Sequence, residues 1–110
     1  MDQIKYDEFA KVEMKVGKVT LAENVEGSEK LIRLHVDCGK EDIRTIFTAV
    51  RSFGYSPADF TGKQFLFITN LEPKKMMGEE SQGMILAVED EDDNFFFIAA
   101  DGLPLGAQVC

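Results

Sequence analysis

Apolar residues at Val12, Met14 and Val16 alternate with Glu13, Lys15 and Gly17, and the phase then slips so that Val19 and Leu21 carry the pattern. A period of two predicts a strand, and a one-residue slip predicts a bulge, placed at Gly17 because glycine has no side chain to clash when φ turns positive. The first strand is therefore expected to be long and bent enough to serve two sides of a barrel. Ile32, Leu34, Val36 and Cys38 then point one way, while Leu31, Arg33, His35 and Asp37 point the other. Gly39-Lys40-Glu41-Asp42 reads as a turn, and residues 43–50 return as a hairpin partner. Ser56 as N-cap, Pro57 at the first helical position and a stop at Gly62 predict one short helical turn.

A fourth strand, from about Lys63 to Leu71, carries Phe65 and Phe67 on one face and Leu66 and Ile68 on the other, so both faces are expected to be covered. It ends at Pro73. Met84–Val88 and Phe95–Ile98 supply fifth and sixth strands, and Asp101–Val109 reads as an ordered but irregular C-terminal extension. Five to six short strands with one small helix between the third and fourth predict an all-β chain with an OB-fold barrel. A sandwich would need about seven strands. Residues 1–110 are read as a single domain.

Nine phenylalanines in 110 residues allow a core without disulfides or a structural metal. Cys38 and Cys110 are far apart, no CxxC pair exists, and His35 is the only histidine, so no metal site or cofactor is expected. His35 lies on the outward phase of its strand and is expected to face solvent. No signal peptide or membrane-spanning stretch is seen, and a reducing, cytoplasmic setting is expected, with Cys38 a small core side chain. The net charge of −8 opposes the basic balance of most nucleic-acid binders. It is unevenly spread: the unbroken run Glu89–Asp93 reads as a solvated turn, and without it 12 basic residues face 15 acidic ones, leaving −3.

Catalytic motifs fail on spacing. In Gly78-Glu79-Glu80-Ser81-Gln82-Gly83 the first glycine lies three residues before the serine, not two, which excludes a nucleophile elbow. Gly62-Lys63 lacks the first glycine and the following Ser/Thr of a phosphate loop. Glu79 and Glu80 are adjacent, not facing, and no catalytic residue is assigned. What remains is the polar stretch 70–84 between strands four and five, which borders the binding face in such barrels. Lys74 and Lys75 can meet phosphates, Asn70 and Ser81 can exchange hydrogen bonds, and Gly78 and Gly83 permit close approach. Composition alone is equally consistent with a flexible loop bearing two ordinary lysines.

Asn70-Leu71-x-Pro73-x-Lys75 followed by Gly78, Ser81, Gly83 and Met84 resembles the signature of the tRNA-binding domain family, and the resemblance spans nearly the whole chain. Phe9–Val19 is similar to that family's opening strand, and Gly62-Lys63 stands before its fourth. Within the family, Val25–Leu34, Phe47–Ser52 and Pro73–Met76 most resemble the C-terminal domains of bacterial methionyl-tRNA synthetases. The resemblance implies a non-catalytic barrel that binds tRNA by its shape, forms a homodimer, and adds affinity to the catalytic body of a parent methionine–tRNA ligase. It places Lys15, Lys30, Asn70, Lys75, Ser81 and Met84 on RNA, with Arg33 and Lys74 as phosphate neighbours. It makes the stretch after strand five a dimer interface, through Phe95, Phe96, Phe97, Leu103, Leu105 and Val109.

Two departures are visible. Lys15 stands where the family usually has arginine, and lysine lacks the bidentate fork. Val25–Glu29 lacks the His-Pro turn of many relatives. The alternatives are a free-standing tRNA-binding or chaperone-like member, and a dimerisation module with little RNA affinity.

Overall fold

A computed structural model describes all residues from Met1 to Cys110. The organising element is β1 (Met14–Asn24), flanked by β2 (Ile32–Asp37), β3 (Ile43–Thr48) and β4 (Gln64–Ile68). Residues 14–18 of β1 pair with β4 and residues 18–24 pair with β2, all antiparallel, so one strand serves two sides of the sheet. Two short strands, β5 (Lys74–Met76) and β6 (Glu79–Ser81), form a hairpin, and β7 (Met84–Ile85) completes a five-stranded sheet in the order β3-β2-β1-β4-β7. The sheet curls into a barrel whose β3 edge is joined to the segment after β6: the Gln82 N–H donates to the Thr45 carbonyl at 2.8 Å, and the Gln82 side-chain oxygen accepts from the Thr45 N–H at 2.9 Å.

The bulge exists but not at Gly17. The β1–β2 register shifts between Val19 and Leu21, three residues further on. Gly17 is needed for a different reason: a Cβ there would lie 2.7 Å from Val36 Cγ1 and 2.9 Å from Phe67 Cδ2, so the missing side chain lets β1 lie flat against the core. The fully buried Val19, Ile32, Leu34, Val36, Ile46, Phe60 and Phe67 form that core. Phe60 follows the short turn Pro57–Asp59, whose start is fixed by the Ser56 N–H donating to the Asp59 carboxylate at 2.8 Å. Its ring packs 5.1 Å from Phe97 and 5.8 Å from Phe65, centroid to centroid. Burial pushes the Cys38 thiol up to about 11, which keeps it a protonated core side chain.

The expected fifth and sixth strands appear in altered form. Met84–Ile85 pairs with β4 and the Leu86 N–H donates to the Leu66 carbonyl, while β8 (Ala87–Glu89) and β9 (Phe95–Phe97) pair with each other as a ribbon whose base is tied to β4 by the Phe65–Ala99 bridge. The C-terminal extension is ordered because it lies along β1: Val16 N–H donates to the Ala107 carbonyl at 2.9 Å and Val109 N–H to the Met14 carbonyl at 2.8 Å. A five-residue helix, α1 (Tyr6–Ala10), and a single turn at Arg51–Phe53 were not expected; both are too short to leave a helical apolar period.

Gly17→Ala is predicted to lower the unfolding free energy by about 1–3 kcal/mol through overpacking, with the strand content retained. Urea unfolding followed by circular dichroism measures it, and an unchanged midpoint would contradict the role given to this glycine.

Candidate nucleic-acid interface

The stretch between β4 and β7, expected as a polar loop, contains the β5–β6 hairpin. Its tip is Met77-Gly78, both at positive φ (53° and 84°), the two-residue geometry whose twist matches paired strands. The hairpin is seated on the outer face of β3. Met76 packs against a small cluster of Val25, Leu31 and Phe47. The buried Ser81 hydroxyl accepts from the Phe47 N–H at 3.1 Å and donates to the Gly83 carbonyl at 3.2 Å. Leu31, just before β2, and Phe47 on β3 take the outward phase, next to the core residues Ile32 and Ile46, and large apolar residues there are the sequence signal that something covers this face.

Arg33 adds an electrostatic latch. From β2 it donates to Glu23 at 3.1 Å and to Glu79 on β6, and its guanidinium lies 5.5 Å from the Phe47 ring centre. The hydrogen bond to Glu79 raises the Arg33 pKa further above its ordinary value. His35, expected to face solvent, is about one-third exposed, with Nε2 2.9 Å from Glu23. Hydrogen bonds from His35 and then Arg33 hold the Glu23 carboxyl below the usual glutamate range.

Beside the hairpin lies a groove of about 520 Å³, lined by Phe47, Leu71, Glu72, Lys74, Met76 and Met84, with Ser81 and Gly83 beneath. Of the residues expected on RNA, Lys74, Ser81 and Met84 meet here. Lys75 alternates to the other face of β5, in register with Glu80. Lys30 is exposed on the loop leading into β2, next to Leu31 of the cluster that seats Met76. Lys30, Lys74 and Lys75 form no ion pair, whereas Arg33 is doubly paired. Phe47, Leu71, Glu72 and Met76 line the groove without having been expected on RNA.

Asn70 and Ser81 have their hydrogen-bonding groups engaged within the chain. Asn70 accepts from the Glu13 N–H at 2.8 Å and donates to the Lys11 carbonyl at 2.5 Å, tying the start of β1 to the groove edge at Leu71. Lys15 belongs to a separate polar cluster. Its Nζ is 3.3 Å from Glu13, whose carboxylate also accepts from the Thr69 hydroxyl at 2.6 Å. That Thr69 bond is the main reason the Glu13 pKa is lowered.

The run Glu89–Asp93 falls on the β8–β9 turn, where Asp90 accepts from the Asp92 and Asn94 N–H groups; the Asn94 bond lowers its pKa most. Asp92 and Asp93 line a different hollow, with Ser52–Tyr55 and Asp59. Of the three consecutive phenylalanines, Phe97 packs on Phe60 and Phe95 on Phe53, while Phe96 is 55% exposed. Leu103 and Leu105 are exposed and Val109 is half-buried. No helix is long and apolar enough to cross a membrane.

Residues 14–108 match the family model described as "Putative tRNA binding domain". The chain belongs to the tRNA-binding domain family. It is 40% identical to the methionine–tRNA ligase of Enterococcus faecalis over 108 residues, which is 97% of this chain and 16% of that protein. The Methanococcus aeolicus methionine–tRNA ligase is 40% identical over 110 residues, all of this chain and again 16% of the relative. The chain thus spans about one-sixth of these curated relatives.

Among solved structures it is similar to a MetRS-related protein from Pyrococcus horikoshii (TM-score 0.93, 43% identity, both chains fully covered). The barrel also matches the chaperone CsaA of Bacillus anthracis (TM-score 0.85, 24% identity, 99% of this chain and 100% of the other), which speaks to fold alone. These matches bear out the family and the OB-type barrel read from the sequence.

The lowered pKa values of Glu13, Glu23 and Asp90 fix the sign of an acid dependence. Each carboxylate contributes stability above its ordinary pKa, about 4, and loses it as pH falls through the depressed folded value. The unfolding free energy is predicted to drop as pH falls below about 4.5. Glu23→Gln should make that drop shallower; an acid limb of the same steepness in denaturant titrations would remove Glu23 from the account.

Proposed function

We propose that this chain is a non-catalytic tRNA-binding and homodimerisation domain, residues 1–110, appended to a cytoplasmic methionine–tRNA ligase and supporting aminoacylation. One observation carries the reading: the whole chain aligns at 40% identity with a segment amounting to one-sixth of such ligases. The hairpin face supports the RNA half. Lys30, Lys74 and Lys75 have no ion-pair partner in the chain; Lys74 lines the groove, Lys75 lies on the opposite face of the hairpin and Lys30 precedes Leu31 of the cluster that seats Met76, while Asp92 and Asp93 of the acidic turn line a different hollow. Phosphate contacts act within a Debye length of about 8 Å at physiological salt, so local charge outweighs the total of −8. Asn70, Ser81 and Arg33 serve the site by holding its walls, and Met84 and Lys74 by facing the RNA. Lys15 contributes from the separate polar cluster at the start of β1. Tethering to a synthetase body makes weak contacts effective by raising the local concentration of tRNA.

A second reading, a free-standing protein, is favoured by the Pyrococcus horikoshii MetRS-related protein, which matches this chain end to end. An antibody against this domain decides between them on a blot of native extract. A band near 12.3 kDa supports the free-standing protein, and one several times larger supports the ligase.

Three unpaired lysines on and beside the hairpin predict a log–log salt slope for tRNA binding of about −2 to −3 per domain. Substituting both Lys74 and Lys75 by Ala should weaken binding and make the slope shallower by about 1.4–1.8. Anisotropy titrations with labelled tRNA at several salt concentrations test it, and the absence of salt-sensitive binding would sink the RNA half of the proposal.

The dimer half is read by light scattering at tens of micromolar. The expected mass is twice that of the chain, returning to monomer when Phe96 and Leu103 are both changed to Asp, since both apolar side chains are half exposed. A monomeric parent would refute the homodimer.

A further inference from the structure

The groove beside the hairpin has features that a track for phosphates does not need. Its exposed wall is apolar, with Leu71 49% and Met84 44% exposed and Met76 and the edge of Phe47 behind them. The hydroxyl in its floor, Ser81, is committed to the Phe47 N–H and the Gly83 carbonyl. One cation, Lys74, lines it, and so does one carboxylate, Glu72, which forms no ion pair. A carboxylate in this place repels a phosphate, but it accepts well from the exocyclic amino group of cytosine or adenine. Methionine adds an adaptable, polarisable surface for a flat ring. The volume of about 520 Å³ lies within the roughly 300–1,000 Å³ that takes small organic groups. A base paired inside an A-form helix cannot reach such a groove, whereas an unstacked one can.

We propose that the groove takes one unstacked nucleotide whose base carries an exocyclic amine. Lys74 meets its phosphate, Glu72 accepts from the amine, and Leu71, Met76 and Met84 cover the base face. This rests on the tRNA-binding reading and narrows its substrate class to folded RNA that extrudes a base, as against uninterrupted duplex. It also gives the glutamate a use within an RNA site.

Three RNA hairpins of equal length and charge are compared by anisotropy at one salt concentration: fully paired, with one bulged cytidine, and with one bulged uridine. The cytidine bulge is expected to bind at least tenfold tighter than the paired hairpin, with uridine in between. Leu71→Ala combined with Met84→Ala should bring that ratio to near one with the unfolding midpoint unchanged, because both side chains are surface-exposed. Glu72→Ala should abolish the preference for cytidine over uridine, while Lys74→Ala weakens the two bulged hairpins alike and the paired one least.

Equal binding of the three hairpins, with intact tRNA still bound, overturns this inference and leaves the tRNA reading standing. Failure of tRNA and hairpins alike at low salt removes both. A Leu- and Met-rich peptide that shifts the Met84 methyl resonance when the bulged RNA does not would overturn the inference in favour of a protein ligand.

Discussion

The structure depends on the double duty of β1. Its first five residues pair with β4, its later ones with β2, and the C-terminal extension lies along it as well. A strand with that many neighbours must bend sharply and lie close to the core, and two local features allow it. The register shift between Val19 and Leu21 supplies the bend, and the bare backbone at Gly17 supplies the close approach to Val36 and Phe67. With β1 curved, β3 and the segment after β6 face each other, and the Thr45–Gln82 bonds join them where the sheet itself does not.

That closure positions the hairpin face. Phe47 lies on the outside of the barrel and is buried because Met76 and Ser81 come down on it, and Arg33 holds β6 through Glu79. The result separates two kinds of charge. Cations that anchor the fold, Arg33 and Lys15, are neutralised by carboxylates, while Lys30, Lys74 and Lys75 are left to solvent. An acidic protein can in this way leave unpaired positive charge around the hairpin, with its longest acidic run placed in the β8–β9 turn.

The alternating strands β1 to β4 and the Ser56-Pro57 turn were legible because each rests on a local rule: period two, a cap, or a stop at glycine. The position of the bulge was not. Gly17 satisfies the local requirement for a bulge, but the register is fixed by which residues of β2 and β4 must face the core, a long-range constraint. The β5–β6 hairpin escaped for a related reason: two strands of three residues, rich in Lys and Glu, carry no apolar alternation, and only Met77-Gly78 at the tip marks the turn. At the site, residue types suggested contact for Asn70 and Ser81, while the structure shows their polar atoms engaged with backbone groups. Leu71 and Phe47 were overlooked because apolar residues in a barrel read first as core.

The bond from Val109 to Met14 has a bearing on chain connectivity. It places the start of the barrel and the end of the chain side by side on one strand, so either flank can carry a covalent neighbour from the same spot. A short linker across that gap would close the barrel into a ring, and new ends could be opened at the exposed β8–β9 turn without breaking the β1 ladder.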